Sequence, residues 1–148
     1  MRSFRQLPTL VLLAIGLAGC GSSLPAGIVV TGQVLFDGKP MEVNRPDVGL
    51  GMIEVSLLPD PPGRYERELS KADKEGKFEF RGPGAGVPPG TYKLVVRHWK
   101  NGMGTKDELD GKFTEEQTPI KVEVPGNLIG KKFELGVLEL KDYHAPAK

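Results

Sequence analysis

Side chains that ionise, attack or ligate are few in this chain and scattered along it. His98 and His144 lie far apart, and neither has a cysteine or a second histidine at ligand spacing. Zinc sites take roughly three or four protein ligands, so no metal site is expected. His98 shares a strand face with Tyr92, Leu94 and Val96, where a half-buried, hydrogen-bonded imidazole is the expectation. Calcium could draw on Asp73 and Glu75, or on Asp107, Glu108 and Asp110. It takes about six to eight oxygens from a spaced loop, and neither cluster has that alternation with a closing glutamate. The two read as an Asx turn and a solvated loop. No serine sits in a Gly-x-Ser-x-Gly elbow. The acids alternate outward on strands, so the facing carboxylates of a glycosidase are not expected. The glycine-rich stretch from Gly82 to Gly86 has no lysine or serine placed to hold phosphate. Neither a catalytic residue nor a cofactor is expected.

Binding has better candidates. Trp99 is the only tryptophan, ends a strand, and has Arg97 and Lys100 beside it. A tryptophan so placed can stack on a sugar or anchor a protein contact. After it, Lys100 to Thr118 forms a long charged segment carrying Met103, Leu109 and Phe113. Loops in compact domains have a median of about 4–6 residues, and structureless ones beyond about 12–15 are usually functional or disordered. Trp99, Met103, Leu109 and Phe113 are therefore expected to form an interaction surface, toward an envelope protein or, alternatively, a glycan.

The one cysteine has a different context. Arg2 and Arg5 form a basic start, and Leu10 to Leu17 an apolar run shorter than the roughly 20 residues that span a bilayer as a helix. Leu17-Ala18-Gly19-Cys20 follows and resembles the bacterial lipobox, where signal peptidase cuts before a lipid-bearing cysteine. Residues 1–19 then form the signal peptide, Cys20 the lipid attachment point, and residues 20–27 a flexible tether. The implied partner is a membrane, through the anchor, in the cell envelope. Gly21 in place of aspartate favours the outer membrane. A sole cysteine forms no internal disulfide, so stability must come from packing. Losing Arg2 and Arg5 leaves acids and bases nearly balanced, so no nucleic-acid partner is expected.

Those candidates must be positioned by strands. The chain has 20 glycines and 13 prolines, which break helices and populate turns. Ile28 to Phe36 is β-branched and apolar, stopped by Asp37-Gly38. Ile53, Val55 and Leu57 alternate with Glu54 and Ser56. Arg64 to Ala72 reads as a polar edge strand. Phe78 and Phe80 share a face. Thr91 to Trp99 puts Tyr92, Leu94, Val96 and His98 on one side. Ile120, Val122 and Val124 alternate before Pro125-Gly126. Phe133, Leu135 and Val137 keep one phase, then Leu138 and Leu140 take the other, which suggests a bulge beside Gly136. Seven strands with no amphipathic helix read as an all-β protein, a single antiparallel β-sandwich over residues 28–141. A disordered tail over 142–148 follows.

Several of these turns and strands resemble a known family. Val30-Thr-Gly-Gln-Val34 leading to Asp37-Gly38-Lys39-Pro40 is similar to the opening of carboxypeptidase-regulatory-like domains, of the transthyretin-like sandwich class. Asp73-x-x-Gly76-x-Phe78 resembles their central turn, and Pro89-Gly90-x-Tyr92-x-Leu94-x-Val96 the strand after it. The close, Lys112-Phe113 through Thr118-Pro119-Ile120-x-Val122-x-Val124, resembles short lipoproteins of this type from planctomycete-like bacteria. The resemblance implies a non-catalytic accessory that binds, spaces or stiffens, with no catalytic residues to carry over.

Overall fold

The computed structural model describes residues 26–63, 65–82 and 86–143. Cys20 with the expected signal segment, and His144 with the rest of the expected tail beyond Tyr143, lie outside the described residues. The strands are β1 (Val29–Leu35), β2 (Met52–Pro59), β3 (Glu68–Ala72), β4 (Lys77–Phe80), β5 (Gly90–Trp99), β6 (Lys121–Val124) and β7 (Lys132–Glu139). Three one-turn 3₁₀ segments are the helical content of the described residues. The protein is all-β, as its alternation and turn residues imply.

The strands form two sheets, ordered β4-β1-β7 and β3-β2-β5-β6. Both contribute to one core. Val30, Val34, Phe78 and Phe80 come from the first, and Ile53, Val55, Leu57, Leu94 and Val96 from the second. Burying each such side chain is worth roughly 1.5–3 kcal/mol. Phe78 and Phe80 meet edge to face, with centroids 5.4 Å apart. Of the segment Arg64 to Ala72, expected as an edge strand, Glu68–Ala72 forms one, β3, paired with β2 alone among the described residues.

The expectation of purely antiparallel sheets is corrected at one pair: β7 runs parallel to β1. The cause is connectivity. β6 ends at the same end of the fold where β1 starts, and the short 125–131 link carries the chain across to the other sheet there. β7 must then set out from that end, alongside β1. The expected change of phase is present. Thr31 pairs Glu134 and Gln33 pairs Val137, so β7 holds one extra residue, with Gly136 at φ +75°. Only glycine adopts that conformation without strain. Val137 is thereby turned out to solvent, and Leu138 and Leu140 turn into the core.

Two boundaries shift. Gly27 belongs to the folded domain and not to the tether, because its carbonyl accepts from the Gly130 amide at 2.9 Å. At the other end Tyr143 packs against the core, so the ordered chain continues past Lys141.

The turns behave as their residues dictate. The Asp73 carboxylate accepts from the amides of Glu75 (2.8 Å) and Lys77 (2.9 Å). Tyr92 is buried, and its hydroxyl donates to the Pro88 carbonyl at 2.7 Å. Burial, with smaller contributions from Tyr65 and Glu68, pushes this phenol up to about 12. A phenol raised above its ordinary value favours the neutral form in the fold. Its contribution is therefore complete below about pH 10 and lost as pH climbs through the folded value. An ultraviolet absorbance titration should show one of the three tyrosines ionising near pH 12, a step that Tyr92→Phe removes. A Tyr92→Phe titration identical to the parent's would contradict the assignment.

Candidate functional site

β5 delivers Trp99 to the outer face of the four-stranded sheet, opposite Met52 of β2. The Arg97 guanidinium lies 6.0 Å from the Trp99 ring centroid, within cation–π range. Trp99 is half-buried, and its indole N–H is buried with no hydrogen-bond partner among the described residues. The ring is thus part edge of the structure and part surface.

The 100–118 segment divides in two. Its first part is exposed, with Met103 at 66%. From Asp107 onward it folds back along β5. Leu109 and Phe113, expected on the interaction surface, are 6% and 2% exposed and belong to the core. The reason lies in strand lengths. β6 pairs with β5 only from Gly90 to Lys93, which leaves the rest of that β5 edge open. The segment supplies the missing partners. The amide of Leu94 donates to Ile120 O (3.0 Å), that of Val96 to Phe113 O (3.1 Å), and that of His98 to the Asp107 carboxylate (2.9 Å). Glu108 N closes on His98 O at 3.0 Å. A buried edge with unpaired amides would be costly, so a turn-rich segment stands in for a strand.

Asp107 holds this arrangement. One carboxylate oxygen accepts from His98 N and from Leu109 N (3.1 Å), and the other from Gly111 N (3.3 Å). Asp110 pairs with Lys106 at 3.1 Å. These acids, weighed above as calcium ligands, are engaged with the protein itself. His98 is buried and donates from Nε2 to the Glu42 carbonyl at 2.6 Å, in keeping with a hydrogen-bonded imidazole. No group of three or more His, Cys, Asp or Glu side chains is placed to hold a metal among the described residues.

A second contributor, which no periodicity or motif marked, is the loop between β1 and β2. Asn44 N donates to Lys100 O at 2.9 Å, and a Cβ on Gly102 would lie 2.7 Å from Leu50 O. The two loops thus run backbone to backbone. Val48 (55% exposed) and Leu50 (49%) come from one, and Met103 from the other. Phe36, at the same end, lines a cleft of about 330 Å³ with Lys39, Met41, His98, Lys100 and Glu108. Exposed apolar side chains gathered on tied loops are features of a contact surface. The loops are tied to β7 too. The Glu139 carboxylate accepts from Gly38 N (2.7 Å) and Asp37 N (2.8 Å), and chiefly the Gly38 amide holds it below its ordinary range.

A wider hollow of about 680 Å³ lies on the outer face of the three-stranded sheet, between Thr31, Gln33, Lys77, Glu79, Lys132 and Glu134. Two of its lysines are matched by acids, Lys77 with Glu75 and Lys132 with Glu134. It offers a mixed polar surface with no dominant charge. No protein family, no curated protein and no solved structure matches this chain.

If Asp107 organises the segment, Asp107→Ala strands the amides of His98, Leu109 and Gly111. The expected loss is about 1.5–3 kcal/mol, the range for bonds to a charged group. Amide hydrogen exchange should quicken at Val96, His98 and residues 107–113. Protection there equal to the parent's would contradict the role.

Proposed function

We propose that this chain is a non-enzymatic cell-envelope lipoprotein, a transthyretin-like seven-stranded β-sandwich with one parallel strand pair, tethered by a lipidated Cys20 to a membrane, with the outer membrane favoured. In this reading it is a binding or structural module that offers Val48, Leu50, Met103 and the edge of Trp99 to another envelope protein. The observation that carries it is the polarity of the domain. The chain enters at Gly27 at one end, and the exposed apolar loops sit at the other, where a membrane-tethered protein would meet a partner. The resemblance of Asp73-x-x-Gly76-x-Phe78 and Pro89-Gly90-x-Tyr92 to the motifs of that family supports it too. A carbohydrate-binding reading rests on Trp99 alone, and Arg97 already lies over that ring. An apolar patch on tied loops suits a protein partner better.

The test uses the full chain in its own membrane. Cys20→Ala should abolish labelled-palmitate incorporation and leave the protein unprocessed or in soluble fractions. Label that survives the change sinks the anchor. With the anchor intact, Leu50→Asp with Met103→Asp should strip the partners captured by cross-linking. A central apolar contact costs about 2 kcal/mol or more when lost, a reduction of at least roughly thirtyfold in affinity. Unchanged capture by a folded double variant would place the binding surface elsewhere.

A further inference from the structure

The end of the domain where the chain enters has chemistry of its own. β1 and β7 begin there, β4 and β6 finish there, and Gly130 N holds Gly27 O at 2.9 Å. Gly27 is seven residues from Cys20. At no more than about 3.6 Å per residue, a lipid on Cys20 lies within about 25 Å of the turn preceding β7. That turn runs Asn127-Leu-Ile-Gly-Lys-Lys132. Leu128 packs inward against the core, whereas Ile129 is 48% exposed at its apex. Lys131 and Lys132 follow, both exposed. Lys132 meets Glu134 at 3.4 Å in an exposed pair, and Lys131 has no ion pair among the described residues. Acids lie at this end too: Glu66 and Glu68 on the opposite flank from β6 and β7, Asp60 in an ion pair with Lys121 at 3.4 Å, and Glu123 exposed on β6.

The far end carries charge of both signs. Asp37, Asp47, Asp73, Asp107, Asp110 and Asp142 are carried by its loops, with Lys39, Arg45, Lys74, Lys106 and Lys141, and Asp37, Asp47 and Asp110 pair there with Lys141, Arg45 and Lys106. What sets the lipid end apart is local, an exposed apolar residue followed by two exposed lysines. An exposed aliphatic side chain beside lysines is the pattern that enters the headgroup region, with the ammonium groups on lipid phosphates.

Resting on the lipid-anchor reading, we propose that the 127–132 turn is a second membrane contact. Ile129 enters the headgroup boundary and Lys131 and Lys132 engage anionic lipid, so the domain stands on the bilayer in one orientation with its distal loops outward. A tether alone would leave the orientation random.

Amine acetylation of the full acylated chain, added to vesicles and read residue by residue by mass spectrometry, tests this without altering the protein. On phosphatidylcholine vesicles containing phosphatidylglycerol, Lys131 and Lys132 should react severalfold more slowly than on phosphatidylcholine alone. Lys74 and Lys106, at the far end, should react equally on both. Ile129→Asp should restore the reactivity of Lys131 and Lys132 while the protein still floats with the vesicles. Floated, acylated protein whose Lys131 and Lys132 react equally on both vesicles overturns the contact and leaves the anchor standing. A chain with no acyl mass that stays out of the floated fraction overturns the anchor, and the contact with it.

Discussion

The β2–β5 ladder fixes the rest of the molecule. Its eight consecutive pairs run from Met52 opposite Trp99 to Pro59 opposite Tyr92. That register sends Val55 with Val96 and Leu57 with Leu94 into the core. It sends Glu54 with Arg97 and Met52 with Trp99 outward. A slip of one residue would exchange the faces of one strand, burying Arg97 and Lys93 and exposing Leu94 and Val96. Ser56 and Val95 oppose each other on the outer face and are nonetheless buried. The ion pair from Arg67, beside β3, to Glu115, beyond β5, joins the two flanks of this sheet at 3.2 Å. The segment that completes the β5 edge therefore reaches toward the outer face as well as the core.

Because β5 is longer than its partner β6, the ladder also creates an obligation. The unpaired half of β5 needs acceptors for its amides and apolar cover for its inner face. Phe113 and Ile120 supply backbone carbonyls to Val96 and Leu94 and put side chains into the core. Once Asp107 anchors this return, the residues before it are held at the far end of the domain. Met103 is exposed there because Leu109 and Phe113 are not. The exposed apolar surface at this end is what the closure of the core leaves over, joined by the loop carrying Val48 and Leu50.

Much of this was legible in the sequence where the physics is local. Alternation marked β2 and β5, the spacing of Asp73 and Gly76 marked a turn, and the phase change at Gly136 marked the bulge. Each depends on residues within a few positions of one another. The direction of β7 did not, since period-two alternation is the same for parallel and antiparallel strands. Leu109 and Phe113 were misread for a similar reason. They stand four apart among charges, a spacing that signals neither strand nor helix alone, and their burial is set by an edge distant in sequence. Trp99 is half-buried and Met103 exposed, while Val48 and Leu50 carried no signal. Their exposure follows from the pairing of two loops, through Asn44 and Lys100, which no periodicity announces.

The carboxylates draw these observations together. Asp73, Asp107 and Glu139 each accept two or three backbone amides and so hold a loop that lacks helix or strand. The perturbed acids and bases include Asp37 and Lys141, which meet each other at 2.7 Å, and Lys77, raised by its bond to the Glu75 carboxylate. In these places charge is directed at the chain's own backbone or at a neighbouring side chain, not into a shared cleft. Loops fixed in this way lose little freedom when a partner arrives, and the ordering cost that weakens binding by mobile segments falls. Exposed apolar residues on such loops can bind with a modest area. That links the heavy use of acids in turns to the apolar surface they hold in place.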